Sequence, residues 1–288
     1  MTAVTNKPVA LVTGASTGIG KAAAEALVDA GFEVVGTSRN TASVTARGDI
    51  TFLDLDVTRA DSIAAVVDHV MKTYGRIDVV VNNAGIGVIG AAEESSIAQA
   101  NAIFDVNVFG TFRMMTAVLP IMRAQKSGRI VNLSSVLGFI PAPYMALYAA
   151  TKHAIEGYSE SVDHEVRDRG IRVILIEPAY TKTGFEAKAA KADTPLPVYA
   201  AQRKVADTLV SEAMADGDDR TIVAKTIVEA ATDSKPKLRY TTGSTAKQVR
   251  TLRRIAPETR VRQTNSQAEQ APLISHANQP ITTTRNPQ

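Results

Sequence analysis

The sequence predicts an α/β fold: a single doubly wound parallel sheet with helices on both faces. Three observations carry that prediction. Strand-like and helix-like patterns alternate for most of the chain, and a glycine-rich turn joins the first strand to the first helix. The first strand reads as a continuous apolar run, as strands buried on both faces do. With 288 residues and 45% hydrophobic content, the chain is long enough to bury a large core as one domain.

The elements follow in order. Residues 8–13, Pro-Val-Ala-Leu-Val-Thr, form a short β-prone run. They lead into Gly14-Ala15-Ser16-Thr17-Gly18-Ile19-Gly20 and then a strong helix-forming run that stops at Gly31. Further strands are expected at 33–38, 50–54, 78–81, 129–133 and 171–176. A helix is expected at about 59–74, with Ile63, Val66, Val67 and Val70 on one face, and Thr58 rather than Asp56 as its cap. Other helices are expected at about 101–125 and 145–169.

Residues 180–220 interrupt the alternation. They are rich in Ala, Lys, Asp and Pro, with Pro195 and Pro197 ahead of a helix expected at 198–214. Following the sixth strand, this insertion falls beside the ligand crevice of such a sheet and reads as a substrate-covering lid. A plain surface insertion is the alternative.

The C-terminal part differs in charge. Residues 235–262 hold nine Lys/Arg against one acid, Glu258, whereas residues 1–234 hold 22 Lys/Arg and 27 Asp/Glu. The net charge of +3 therefore conceals a dipolar chain. A last strand is expected at 238–242 and a short basic helix at 246–255. A solvated face or subunit contact is favoured for this segment over a nucleic-acid or acidic-membrane site. Residues 263–288 are polar and aperiodic and are expected as a disordered tail, which leaves 1–262 as one catalytic domain.

The chain has no cysteine, which excludes disulfides and thiolate metal sites, and its four histidines lack metal-ligand spacing, so no metal is expected. No apolar run approaches the roughly 18 residues a membrane span needs, and residues 1–6 do not read as a signal peptide. A cytoplasmic location is expected.

Two constellations carry chemistry. Strand, glycine turn and helix in that order make a dinucleotide pyrophosphate site: glycines admit the phosphates, and free helix amides attract their charge. The spacing is Thr-Gly-x-x-x-Gly-x-Gly. The second is Tyr148 with Lys152 one helical turn later, and Ser135 thirteen residues before the tyrosine. A cation beside a phenol favours the phenolate, and a serine hydroxyl can hold a carbonyl or alcohol oxygen against it. A lone Tyr-x-x-x-Lys spacing arises often by chance; a nicotinamide in the same fold gives it a use.

The second strand ends Gly36-Thr37-Ser38-Arg39-Asn40, without the carboxylate that reads the ribose of NAD. Arg39 can pair with a 2′-phosphate, so NADP(H) is favoured over NAD(H). Residues 136–148 and 86–92 contain no charged side chain. Apolar walls of this kind suit a small hydrophobic carbonyl/alcohol substrate.

With the glycine turn, Asn82-Asn83-Ala84-Gly85 and Ser135…Tyr148-x-x-x-Lys152 in this order, the chain resembles the short-chain dehydrogenase/reductase family over about residues 8–243. Residues 135–154 are most similar to its hydroxysteroid and retinol dehydrogenase branches. The resemblance implies a Rossmann fold and an NAD(P)-dependent enzyme acting on CH–OH/C=O. It also implies that Ser135 orients substrate, with Ser134 the neighbouring alternative. Tyr148 is then the general acid/base, Lys152 lowers its pKa and binds the nicotinamide ribose, and Asn107 holds a proton-relay water. Cofactor contacts fall to Gly14, Ser16, Thr17, Gly18, Ile19 and Gly20 in the turn, and to Arg39, Asp56 and Val57 around adenine. Asn83, Ala84 and Gly85 lie beside the adenosine ribose; Tyr148, Lys152, Pro178 and Thr183 serve the nicotinamide end. Where the family has Pro-Gly after the sixth strand, this chain has Pro178-Ala179, and alanine there can alter the backbone path toward Thr183. A homodimer or homotetramer is implied. The competing reading is a catalytically idle dinucleotide sensor that meets a partner through its basic segment; epimerisation or dehydration on the same fold is a third.

Overall fold

A computed structural model describes residues 6–42, 44–45 and 48–255. The expected tail at 263–288 and residues 256–262 of the basic segment lie outside the described residues.

Seven strands form one parallel sheet: β1 (Val9–Val12), β2 (Glu33–Ser38), β3 (Ile50–Asp54), β4 (Val79–Asn82), β5 (Gly128–Leu133), β6 (Ile171–Pro178) and β7 (Arg239–Thr242). Their spatial order is β7-β6-β5-β4-β1-β2-β3. In register, Leu11 of β1 lies opposite Val35 of β2 on one side and Val80 of β4 on the other. Strand order reverses at β1. The crevice beyond the carboxyl ends of β1 and β4 is thus the switch point where open α/β sheets take their ligands.

The helices are α1 (Gly18–Asp29), α2 (Ala60–Tyr74), α3 (Ile97–Phe104), α4 (Gly110–Gln125), α5 (Ala146–Val166), α6 (Ala200–Ala215), α7 (Arg220–Thr232) and α8 (Gly243–Ile255). On one face Ala23, Ala24 and Leu27 of α1 share a core with Val223, Ile227 and Ala230 of α7. On the other, the expected α2 stripe of Ile63, Val66, Val67 and Val70 meets Met114, Val118 and Met122 of α4 and Val162 of α5. These two layers make the sheet a three-layer sandwich.

Several local expectations are corrected. Helix α2 starts with Arg59 in the capping position and no side-chain cap. Thr58, the expected cap, instead donates its amide (2.9 Å) and hydroxyl (2.7 Å) to Asp56 Oδ1, closing a turn ahead of the helix. The helix expected at 101–125 begins at Ile97 and widens into a π turn over Asp105–Phe109. A π turn commonly marks a functional place in a helix, and Asn107 sits in this one. The whole stretch Ile97–Gln125 is long and apolar enough to cross a membrane by length and composition. Burial of Met114, Met115, Val118 and Met122 under the sheet accounts for much of that apolarity.

The insertion after β6 is closed at its base by one short strand pair and tied to the body by another. Thr181–Lys182 pairs with Asp218–Asp219, and Ala190–Lys191 pairs with Val88–Ile89. A second tie is Glu94, which is fully buried. Its Oε1 accepts from Leu196 N (2.7 Å) and pairs with Arg203 of α6, while its Oε2 accepts from Ala91 N (2.9 Å).

Asp163 links α5 to the start of β6. Its Oδ1 accepts from Arg172 Nε (2.9 Å) and Val173 N (3.0 Å), and it is 1% exposed. Asp163→Ala strands both donors and is expected to lower stability by roughly 3 kcal/mol. A urea midpoint shift at unchanged slope is the measurement; an unmoved midpoint contradicts the role.

The basic segment turns partly inward. Arg239 of β7 pairs with Glu156 (3.0 Å) and Glu160 (2.7 Å), and Arg250 of α8 pairs with the buried Glu177. Two of its cations therefore pair with carboxylates of α5 and β6.

Candidate active site

The turn after β1 is built around backbone that only glycine tolerates. Gly14 and Gly18 have φ of +66° and +58°. A Cβ on Gly20 would lie 2.3 Å from Gly14 O and 2.4 Å from Asn83 Nδ2. Asn83 laces this turn to β4, donating from Nδ2 to Thr13 O (2.9 Å) and Gly14 O (3.1 Å). Thr13 Oγ1 in return accepts from the amides of Asn83 and Ala84, both at 3.0 Å. Helix α1 then begins with Thr17 in the capping position, no side-chain cap and no acid in its first turn. Its first amides thus lack a side-chain acceptor, as suits the pyrophosphate of a dinucleotide.

From this turn a cleft of about 1550 Å³ runs across the carboxyl ends of the strands to the insertion. Every sequence-predicted site residue lines it except Gly20 and Asn107, which stand behind the wall. At one end, Arg39 is exposed at the tip of β2. The Asp56 carboxyl is held below its usual range chiefly by its bonds from Thr58, with Arg39 contributing. At the other end Ile86, Ile89, Leu137, Ile140 and Pro141 form the expected apolar walls. The two apolar stretches are joined where Gly90 N donates to Tyr144 O at 2.9 Å. Tyr144 adopts a left-handed φ of 59°, a strained conformation for a non-glycine residue on a cleft wall.

Helix α5 brings Tyr148 and Lys152 onto one side, facing Ser135 at the end of β5. Lys152 Nζ lies 5.5 Å from the centre of the Tyr148 ring and donates to Leu133 O at 2.7 Å. The Ser135 hydroxyl is the one beside Tyr148, where it favours the phenolate. Ser134 is instead turned toward the buried Glu156, which favours Ser135 as the substrate-orienting serine. In the chain by itself burial raises the Tyr148 pKa above the ordinary phenol value, Glu186 adds to the rise, and Ser135 opposes it. Burial also brings the Lys152 pKa down to about 8, against the upward pull of Glu156. Desolvation thus dominates, and the phenol is held protonated.

Asn107 is buried in the π turn behind the cleft wall. Its Oδ1 accepts from Ile86 N (2.8 Å), and its Nδ2 donates to Ile86 O (2.9 Å) and Thr151 Oγ1 (3.2 Å). Thr151 in turn donates to Tyr148 O at 2.7 Å, tying the π turn to α5. Thr183 does reach the cleft, its Oγ1 accepting from Phe185 N at 3.2 Å. Ala179 carries no positive φ, so alanine is accommodated there without strain.

Sequence reasoning missed Leu133 O, Thr151, Phe185 and Glu186, and the part of the wall contributed by Val249, Leu252 and Arg253 of α8. None belongs to a spaced motif. The length of the run from Thr183 to Lys188 beside the strand end was the available signal for Phe185 and Glu186.

A family model described as short chain dehydrogenase matches residues 8–194. The chain belongs to the short chain dehydrogenase family. Members of this family are NAD(P)-dependent oxidoreductases working between CH–OH and C=O. A 3-ketodihydrosphingosine reductase from Bacteroides thetaiotaomicron is 41% identical over 175 residues, which cover 61% of this chain and 64% of that protein. The match thus spans just under two thirds of that relative. A short-chain dehydrogenase structure from Streptomyces avermitilis superposes with a TM-score of 0.79 at 35% identity, covering 92% of this chain and 96% of the other. Two further structural neighbours share 26% identity. One, ElxO with NADP bound, has a TM-score of 0.69 over 82% of this chain and 96% of its own. The other, from Burkholderia phymatum in complex with NAD, has a TM-score of 0.74 over 89% and 95%. These neighbours support a nicotinamide dinucleotide as the cofactor of this short chain dehydrogenase.

Proposed function

We propose that this short chain dehydrogenase interconverts a hydrophobic ketone or aldehyde and its alcohol with NADP(H), using Tyr148 as general acid/base. The observation that carries the reading is one cleft holding the acid-free N-terminus of α1 at one end and Ser135, Tyr148 and Lys152 between apolar walls at the other. A bound nicotinamide dinucleotide supplies or takes up the hydride. In reduction, Ser135 holds the carbonyl oxygen and Tyr148 gives it a proton; in oxidation the phenolate takes that proton back. Lys152, charged below a pH of about 8, compensates the phenolate as it forms. The apolar walls exclude water from the reacting carbon. Asn107 acts by fixing Ile86 and Thr151, and the relay water assigned to it by resemblance belongs to this proposal.

The idle-sensor reading needs an outward-facing basic segment. Arg239 and Arg250 are spent on buried carboxylates, which weighs against it. Assembly as a homodimer or homotetramer through α4 and α5 belongs to the same proposal. It is supported by the half-exposed Phe109 beside the stacked Phe112–Tyr158 pair, whose ring centres are 3.7 Å apart.

The reading is tested by a screen of hydrophobic ketones for NADPH consumption; inertness toward all of them, beside binding of NADPH, would favour the sensor. For the cofactor, Arg39→Asp is expected to move the NADPH-to-NADH affinity ratio between about 10- and 100-fold toward NADH. An unmoved ratio means Arg39 does not read the 2′-phosphate.

A further inference from the structure

Of the acids in the lid, Glu186 alone lines the cleft, and the proposed reaction leaves it unused. Glu186 lines the cleft, in the short turn Glu186–Lys188 that follows Phe185. The Phe185 ring lies 5.6 Å from the Tyr148 ring, so Glu186 enters the cleft beside the proton donor. Its Oε2 is enclosed by protein and has no hydrogen-bond partner. Among the described residues no Lys or Arg pairs with it, although Lys188 lines the same cleft. Burial raises the Glu186 carboxyl above the usual carboxylate range, so its charged form is costly unless something that binds there supplies a donor. The walls around it are apolar, and a dinucleotide phosphate is repelled by it. A donor arriving with the substrate resolves the cost, and a cation resolves it best.

Resting on the proposed carbonyl chemistry, we propose that Glu186 is a specificity residue that selects substrates carrying an ammonium group near the reacting carbonyl, on an otherwise lipophilic skeleton. Glu186 adds to the upward shift of both Tyr148 and Tyr180, so it lies within electrostatic range of both phenols.

The test compares 2-aminododecan-3-one with dodecan-3-one, in wild type and in Glu186→Gln. Wild type is expected to favour the amino ketone by roughly 10- to 100-fold in kcat/KM, and the ratio is expected to fall toward unity in the variant. A ratio that Glu186→Gln does not change overturns the proposal. So does a loss confined to NADPH affinity, which would make Glu186 a cofactor ligand. Calorimetry with the corresponding amino alcohol and plain alcohol reads the same selection without turnover. If neither ketone is reduced, the carbonyl chemistry fails, and tenfold tighter binding of 2-aminododecan-3-ol by wild type alone would still uphold the ammonium site. Equal binding of both alcohols would remove it.

Discussion

Tyr148→Phe is expected to lower kcat for ketone reduction by about 10³-fold while leaving NADPH affinity nearly unchanged. The substitution removes one oxygen and keeps the ring, so its packing against Phe185 survives. Burial holds that phenol protonated in the free chain, and Ser135 stands beside it to align a carbonyl oxygen. Losing the proton donor affects the chemical step, whereas the glycine turn that meets the pyrophosphate is untouched. Steady-state kinetics together with a direct NADPH titration separate the two. Equal turnover in the variant removes Tyr148 from the acid/base role.

Lys152→Met is the second large effect. Lys152 is 9% exposed, and its ammonium donates to Leu133 O at 2.7 Å and lies 5.5 Å from the centre of the phenol ring. Methionine keeps much of the volume but loses the charge, and kcat/KM for NADPH is expected to fall about 10²-fold. The pH dependence sharpens this. That parameter reports groups of the free enzyme, in which burial depresses the lysine to about 8. A lowered lysine pKa means that charge is present below that value and lost above it. Wild-type kcat/KM for NADPH is therefore expected to be level below pH 8 and to decline as pH rises through it. In Lys152→Met the decline disappears; its persistence assigns the limb to another group.

Much of this site is legible in the sequence because its parts are local. Gly14, Gly18 and Gly20 lie within seven residues, and a strand before them with a helix after them dictates what their backbone meets. Tyr148 and Lys152 share a face through helical spacing alone. The core stripe of α2 could be read from Ile63 to Val70 for the same reason. What escaped depends on contacts distant in sequence or on packing that overrides propensity. Helix α7 is rich in β-branched residues (Thr221, Ile222, Val223, Thr226, Ile227, Val228), which lowers its intrinsic helicity, and it is held by packing on α1. Arg239 and Glu156 are 83 residues apart, so no local pattern announces that the basic segment folds inward. The commitment of Asn107 to Ile86, 21 residues away, is hidden equally well. Lys152 itself was visible, but not the Leu133 carbonyl that holds it nor the burial that brings its pKa down.

The proposed hydride transfer from NADPH to a hydrophobic carbonyl, with Tyr148 supplying the proton, leaves an isotopic signature. Single-turnover reduction of a hydrophobic ketone with NADPH deuterated at the nicotinamide C4 tests it most directly. One deuterium is expected at the carbinol carbon of the product, formed by wild type and nearly absent with Tyr148→Phe. An alcohol product without deuterium at that carbon from either C4 position, or equal yields from both proteins, would contradict it.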